Sequence, residues 1–163
     1  MEVSQIIDSP VGPLRLRADD DALLEVAFAK GAAERSGHPI LRRAREELAA
    51  YFAGKLTRFE LPLDAVGTEF QRAVWRALLE IPFGETRSYA DIAVRIGRPA
   101  AVRAVGAANG KNPIAIVIPC HRVIGSDGSL TGYGGGEPRK RWLLTHESNA
   151  NREEFRLRSP GRG

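Results

Sequence analysis

The stretch SYADIAVRIGRPAAVRAVGAA, residues 88–108, predicts two short helices joined by a tight turn. Ser88 begins a capping signature, which predicts a short helix that ends at Gly97. Pro99 then starts a second helix, predicted over residues 100–108. Two short helices joined by a Gly-Arg-Pro turn resemble a helix-turn-helix. Such pairs also occur in proteins that bind no DNA, so the spacing on its own is a weak indication of DNA binding.

A further helix is predicted immediately upstream of this pair. The sequence TEFQ at residues 68–71 has the form of a capping box, apolar residues follow at helical spacing, and Pro82 ends the run. Together these patterns predict a mostly helical C-terminal domain over residues 67–147.

The N-terminal block has a different pattern. Short apolar runs broken by Pro, Gly and Asp predict three strands, at residues 2–7, 14–18 and 23–28. Residues 40–53 show helical spacing and stop at Gly54, whereas residues 59–63 alternate like one more strand. Residues 1–66 are therefore predicted to form a small α+β domain. Residues 148–163 have little to bury and are expected to form a flexible tail.

The composition is that of a packed globular protein. The 163 residues are 43% hydrophobic. No stretch approaches the roughly 20 apolar residues that a membrane span needs, and the first residues lack a cationic segment followed by an apolar one. We therefore expect a cytoplasmic protein with no membrane partner. With one cysteine and three scattered histidines, the chain offers neither an intramolecular disulfide nor zinc-finger spacing, so we expect no metal and no cofactor.

Positive charge concentrates in the second half of the chain. Residues 1–67 carry nine Lys and Arg against eleven Asp and Glu, residues 68–147 carry eleven against seven, and the remaining residues carry four against two. This asymmetry suits a partner rich in phosphate. A solvated surface without a partner is the commoner cause of a few extra positive charges, so charge alone does not decide between the two.

Small side chains dominate the second helix of the pair, and they would let its backbone approach a groove wall closely. Arg103 stands out among them. Its chemistry leaves two interpretations open, namely a contact with a partner or an exposed helix residue paired with a nearby carboxylate. The second situation is the commoner one for arginine.

The sequence NPIAIVIPCHRV, residues 112–123, contains the only cysteine. Five apolar residues predict a buried, strand-like run that Pro119 ends, so the thiol of Cys120 lies where a buried segment emerges. A free cysteine is largely protonated at neutral pH, and an adjacent base such as His121 is the usual way to form the thiolate. A buried cysteine beside a histidine is nevertheless more often inert packing than a catalytic pair.

The segment PCHRV at residues 119–123 resembles the active-site motif of the O6-alkylguanine-DNA alkyltransferase family, also called methylated-DNA–protein-cysteine methyltransferases. The similarity continues in order through several other segments, at residues 67–75, 81–89, 103–106, 109–113, 132–136 and 142–147. The N-terminal block is only loosely similar, and in the family this part is a ribonuclease-H-like sheet and helix unit. The resemblance therefore implies an α+β fold whose C-terminal domain carries the helix-turn-helix and the acceptor cysteine.

The resemblance also implies a reaction. It is direct-reversal DNA repair, in which the alkyl group of O6-alkylguanine in duplex DNA is transferred once and irreversibly to the cysteine. The resemblance implies the same transfer from O4-alkylthymine. The damaged base is flipped out of the duplex for the reaction. Cys120 matches the acceptor, and His121 matches a base that acts through a water. Glu147 matches the carboxylate that orients His121, and Asn112 matches the residue that braces the turn before the cysteine.

Further matches concern the DNA and the flipped base. Tyr89 resembles the tyrosine that crowds a phosphate and meets the base, and Arg103 resembles the residue that replaces the extruded guanine in the stack. Ala104 and Gly106 belong to the same DNA-binding helix. The guanine pocket implied by the resemblance consists of Val123, Tyr133, Gly134 and Lys140.

The resemblance implies a monomer that binds double-stranded DNA containing O6-alkylguanine and can assemble cooperatively on it. Some members hold a structural zinc in the N-terminal domain, but a chain with no other cysteine than Cys120 cannot build that site. Relatives that only flag lesions have tryptophan in place of the acceptor. The presence of Cys120 therefore favours transfer over binding alone.

Two other function classes stay open on the residues alone. A cysteine hydrolase would also place Cys120 near His121, with Glu147 or Asn112 to orient the histidine, but no oxyanion-hole motif recommends it. A plain helix-turn-helix regulator would bind a defined DNA sequence, leave Cys120 unreactive and dimerise on paired half-sites.

Overall fold

The computed structural model describes residues 1–130 and 132–157, and for residues 151–157 only the backbone. The described part of the chain contains, in order, β1 (Val3–Ile7), β2 (Leu14–Ala18), β3 (Leu23–Phe28), α1 (Pro39–Phe52), α2 (Glu69–Leu79), β4 (Arg87–Ser88), α3 (Tyr89–Arg95), α4 (Val102–Gly110), a 3₁₀ turn (Cys120–Arg122), β5 (Val123–Ile124) and α5 (Glu137–Leu157). The predicted fold class, α+β, is confirmed.

A three-stranded antiparallel sheet begins the chain. Strands β1, β2 and β3 pair in sequence order, with Val3 opposite Ala18 and Leu14 opposite Phe28. Alternate residues of β2 are buried, because successive side chains of a strand point to opposite faces. Helix α1 packs against all three strands with its buried residues, Leu41, Ala44, Leu48 and Tyr51. The three predicted strands and the predicted helix are confirmed to within one residue at each end.

The predicted strand over residues 59–63 is wrong. Only an isolated bridge between Leu63 and Leu23 forms in this segment. Pro62 accepts a hydrogen bond from Leu23 N at 2.9 Å but has no N–H to donate, so a strand ladder cannot continue along the segment.

The two predicted capping boxes begin the helices as expected. Thr68 and Gln71 cap α2, and Ser88 and Asp91 cap α3. In each pair, the side chain of either residue accepts a hydrogen bond from the backbone N–H of the other. Helix α3 packs against α4, and Gly97 turns the chain between them with a φ of +77°. This pair is the predicted helix-turn-helix.

The second helix of the pair begins later than predicted. Ala101 N donates a hydrogen bond to Arg98 O at 2.9 Å, which closes a turn over Pro99 and Ala100. Helix α4 therefore starts at Val102. The proline belongs to the connection and not to the first turn of the helix.

Residues 114–118 are buried as predicted, but they do not form a strand. Ile116 has a φ of 72°, and Ile118 N donates back to Ile114 O at 2.9 Å, so the run folds into a tight turn. A β-branched residue in this backbone region is strained and persists only where its surroundings hold it.

Helix α5 continues into the segment expected to form a flexible tail. The helix runs on to Leu157, so residues 148–157 are helical. Six of these ten residues are Arg, Glu, Ala or Leu and none is glycine or proline, a composition that favours helix. The rest of the predicted tail, residues 158–163, lies outside the described residues. No helix in the described ranges has the length and apolar character that a membrane crossing requires.

Candidate active site

Cys120 begins the 3₁₀ turn directly after the buried run, and it is 5% exposed. Burial raises the pKa of the thiol to about 11, against a hydrogen bond from Asn112 and the charge of Lys140, which both lower it. The thiol is therefore protonated at neutral pH in the free protein. Forming the nucleophile requires a base.

The turn before Cys120 is held by asparagine side chains. Nδ2 of Asn112 donates to Ile118 O at 2.8 Å, and its Oδ1 accepts from Ile114 N at 3.0 Å. Asn109, on α4, donates from Nδ2 to Cys120 O at 3.3 Å. Asn112 thus braces the segment that presents the thiol, while its part in a reaction stays a prediction.

His121 and Glu147 form a buried pair, with Nε2 of the histidine 2.6 Å from Oε2 of the glutamate. Burial lowers the pKa of His121, although Glu147 opposes that shift. Burial would raise the pKa of Glu147, but hydrogen bonds and charge from His121 and Arg122 hold it well below its usual range. We therefore assign a neutral imidazole that donates from Nε2 to a carboxylate, with Nδ1 as the basic nitrogen. Within the described part of the chain, Nδ1 has no hydrogen-bond partner.

Five hydrogen bonds from described residues converge on the Glu147 carboxylate, the His121 bond among them. Arg122 donates twice, from Nε to Oε1 at 2.8 Å and from Nη2 to Oε2 at 3.1 Å. Tyr51 donates from Oη to Oε2 at 2.6 Å, and Gly84 N donates to Oε1 at 3.3 Å. A buried charge persists when it is paired and hydrogen-bonded in this way. In the described residues, no group of three or more His, Cys, Asp or Glu side chains is placed to hold a metal ion.

Sequence reasoning missed two residues of this site, Arg122 and Tyr51. Arg122 is buried, donates from Nη1 to Ile81 O at 2.8 Å, and lies 5.7 Å from the ring centre of Phe83. A signal for it exists, since an arginine beside a buried apolar stretch needs an anion nearby. Tyr51 gives no such signal, because its spacing on α1 predicts only a core residue and its partner lies 96 positions away.

Lys140, Tyr133 and Tyr89 come together near Cys120. Nζ of Lys140 lies 5.7 Å from the ring centre of Tyr89 and 6.0 Å from that of Tyr133. Burial lowers the pKa of Lys140 and raises the pKa of Tyr133. Nζ of Lys140 and Oη of Tyr133 have no hydrogen-bond partner among the described residues. Of the residues predicted for the guanine pocket, Val123, Tyr133 and Lys140 are buried, and Gly134 is exposed.

Helix α4 presents the residues predicted to meet DNA. Arg103 and Ala104 are exposed, and a Cβ placed on Gly106 would lie 3.9 Å from the Tyr89 ring. Among the side chains that the structure describes, Arg103 has no ion-pair partner. The described side chains therefore do not support the interpretation that Arg103 forms a surface ion pair.

Comparison with protein families covers both blocks of the chain. Residues 3–65 match the ribonuclease-like domain of 6-O-methylguanine DNA methyltransferase, and residues 69–149 match the DNA-binding domain of the same family. The first match agrees with the ribonuclease-H-like unit implied for the N-terminal block.

Individual proteins give the same result. The methylated-DNA–protein-cysteine methyltransferase of Methanosarcina barkeri is 52% identical over 151 residues, which cover 88% of this chain and 96% of that protein. The Mycobacterium tuberculosis O6-methylguanine methyltransferase crystal structure superposes with a TM-score of 0.86 at 48% identity, covering 98% of this chain and 100% of that one. The Mycobacterium tuberculosis OGT structure in complex with DNA superposes with a TM-score of 0.82 at 52% identity, covering 89% and 92%. The chain therefore belongs to the 6-O-methylguanine DNA methyltransferase family.

Proposed function

We propose that this chain repairs DNA by direct reversal, in a single irreversible transfer of an alkyl group from O6 of guanine in duplex DNA to Sγ of Cys120. Membership of the family supports the reaction class, which is DNA repair by alkyl transfer to a cysteine. Cys120 is the only cysteine in the chain. The observation that best supports the proposal is the buried hydrogen bond between Glu147 and His121, the residue directly after Cys120. We refer to Cys120, His121 and Glu147 as the relay.

In the proposed reaction, His121 removes the proton of the thiol. Because the pKa of Cys120 is about 11, little thiolate exists at neutral pH until Nδ1 of His121 accepts the proton through a water. Glu147 stabilises the imidazolium that forms. The thiolate then attacks the alkyl carbon, so that the S–C bond forms and the C–O6 bond breaks, its electron pair passing to the guanine. The guanine takes back one proton and leaves as the ordinary base, and His121 returns to its neutral form.

The product explains why each chain would act only once. Alkylated Cys120 is a thioether whose carbon is saturated, so it offers no carbonyl for water to attack, unlike the acyl-enzyme of a cysteine hydrolase. The relay can activate a thiol, but it has no means of displacing sulfur from such a carbon.

On the DNA side, we assign α4 to the duplex. Its small residues, among them the exposed Ala104 and the half-buried Gly106, would allow close approach to the groove. O6 lies inside the duplex, so the base must be flipped out, at a cost of a few kcal/mol. Arg103 would occupy the gap in the stack and offset part of that cost, while Tyr89 would meet a phosphate and the base.

The flipped base would enter a pocket formed by Val123, Tyr133, Gly134 and Lys140. Tyr133 and Lys140 support this placement, because their buried polar atoms have no partner in the described part of the chain. A buried donor without an acceptor costs free energy, and the polar edge of a base would supply acceptors. O6-alkylguanine and O4-alkylthymine are the proposed substrates.

The proposal extends to organisation and location. Residues 1–66 would form the N-terminal domain and residues 67–147 the DNA-binding and acceptor domain. The chain would work in the cytoplasm without a cofactor, as a monomer that can assemble cooperatively along DNA.

A duplex whose O6-methylguanine carries a tritium-labelled methyl group tests this proposal against the two other function classes. The label should move to the protein and, after proteolysis, be found on the peptide that contains Cys120. Cys120→Ser should bind the duplex and acquire no label. A helix-turn-helix regulator or a cysteine hydrolase would leave the label on the DNA, and that outcome would overturn the proposal.

A further inference from the structure

Helix α1 reaches the relay through one residue of the N-terminal block. Oη of Tyr51 donates a 2.6 Å hydrogen bond to Oε2 of Glu147, the same oxygen that faces Nε2 of His121. The main-chain carbonyl of Tyr51 lies 2.7 Å from Nε2 of His146, which precedes Glu147 on α5. Tyr51 is therefore hydrogen-bonded to two consecutive residues of α5, once through its side chain and once through its main chain.

Packing fixes the Tyr51 ring in this place. The residue is fully buried, and aromatic rings surround it at centre distances of 5.2–6.1 Å, from Phe52, Phe59, Phe83 and His146. Burial and the charge of Glu147 raise the pKa of Tyr51 well above its usual value, so the phenol keeps its proton. A neutral donor is thus held against Oε2.

We propose that Tyr51 is a positioning residue of the relay, which sets the basicity of His121 through its hydrogen bond to Glu147. Tyr51 and His121 share one carboxylate oxygen. A second donor on that oxygen withdraws negative charge from it, so the carboxylate stabilises the imidazolium less than it otherwise would. The inference rests on the proposed function, because it matters to the reaction only if His121 accepts the proton of Cys120.

Besides Glu147, the charged groups that act on His121 are Arg122 on its own turn and Lys140 on α5. Neither of these two is hydrogen-bonded to the Tyr51 hydroxyl, which donates to Glu147. Arg122 and Lys140 both disfavour the imidazolium by their charge, and both remain when the hydroxyl is removed. A change in the His121 pKa in a Tyr51 variant would therefore report the contact at Oε2.

Tyr51→Phe is the direct test. The pKa of His121 is followed by ¹⁵N NMR in the unreacted protein, and the rate of benzyl transfer from free O6-benzylguanine is followed against pH. We expect the pKa to rise by about 0.5 to 1 unit, because one hydrogen bond to a charged group is lost. The acid limb of the rate profile should move by the same amount, which slows the reaction about 3- to 10-fold below both pKa values. The rate on the alkaline plateau should stay within about twofold of wild type.

Two further proteins separate this effect from packing. Phe59→Leu loosens the surroundings of Tyr51 but leaves its hydroxyl, so it should lower stability without moving the pKa of His121. A protein with 3-fluorotyrosine at position 51 has almost the same shape and a stronger donor. Its His121 pKa and its acid limb should move to lower pH, opposite to the shift in Tyr51→Phe.

An unchanged His121 pKa in both Tyr51→Phe and the fluorotyrosine protein would overturn the inference and leave Tyr51 as a core residue only. If Tyr51→Phe fails to fold, the sign of the shift in the fluorotyrosine protein decides alone. Failure of the proposed function looks different, because wild type itself would then transfer no benzyl group to Cys120.

Discussion

The relay and the exposed face of α4 are built in opposite ways. Cys120, His121 and Glu147 are each at most 5% exposed, and the described residues supply donors to both oxygens of the carboxylate. Arg103 and Ala104 are exposed on α4, and Arg103 has no ion-pair partner among the side chains the structure describes. The relay is assembled within the chain, whereas α4 leaves these two residues open to solvent.

This difference predicts two kinds of response to substitution. A buried charge that loses its partner costs several kcal/mol, because the remaining charge stays desolvated. An exposed charged side chain contributes little to folding. Substitutions in the relay should therefore lower both stability and activity. Substitutions of exposed residues on α4 should change activity with little effect on stability.

Glu147→Gln should give the largest effect. It leaves Arg122 buried without an anion and should lower the free energy of unfolding by about 3–5 kcal/mol. It should also slow alkyl transfer and alter its pH dependence, because His121 loses the carboxylate that orients it. Urea unfolding and the rate with O6-benzylguanine measure the two losses.

The matched control lies on the same helix. Glu137→Gln breaks an exposed pair with Arg141 and should cost no more than about 0.5 kcal/mol. Equal destabilisation in Glu137→Gln and Glu147→Gln would remove the contrast between buried and exposed charge.

The next largest effect should be on the pH dependence of stability, and it should come from the buried thiol of Cys120. The pKa of Cys120 rises from 9.0 to about 11 in the folded protein, so its stabilising contribution is present below pH 9 and is lost as the pH rises to about 11. The free energy of unfolding of wild type relative to Cys120→Ser should fall by about 2–3 kcal/mol over that range. Urea unfolding at several pH values measures it. Parallel pH profiles for the two proteins would mean that the thiol is not desolvated.

Arg103→Ala should give the smallest change in stability and a selective change in activity. Repair of duplex DNA should slow by about tenfold to a hundredfold, because the flipped state would lose the side chain proposed to fill the stack. The rate with free O6-benzylguanine, which needs no flipping, should be unchanged. Arg42→Ala removes the same charge from an exposed position on α1 and should alter neither rate. Equal losses on both substrates in Arg103→Ala would remove the proposed role.

Local patterns predict the local structure of this chain well. The capping boxes at Thr68 and Ser88 depend on residues three positions apart, and both form as expected. Two predictions fail because a side chain or a missing N–H overrides the pattern. Asn112 closes the apolar run at 114–118 into a turn, and Pro62 prevents the strand predicted at 59–63.

The same distinction between local and long-range information applies to the residues of the site. Cys120 and His121 are adjacent and could be proposed from the sequence, and the family resemblance added Asn112 and Glu147. Tyr51 could not be chosen, because its contact with Glu147 spans 96 positions and depends on how α1 and α5 meet. Arg122 lies in the motif, but its partner becomes evident only when α5 is in place.

The claim that each chain transfers one alkyl group to Cys120 is tested by the mass of the intact protein after reaction with excess O6-methylguanine duplex. Transfer to the relay cysteine predicts repair of at most one lesion per chain and a gain equal to one methylene, located on the peptide that contains Cys120. Undamaged duplex should leave the mass unchanged. Sustained turnover, or a methyl group on any other residue, would contradict the claim.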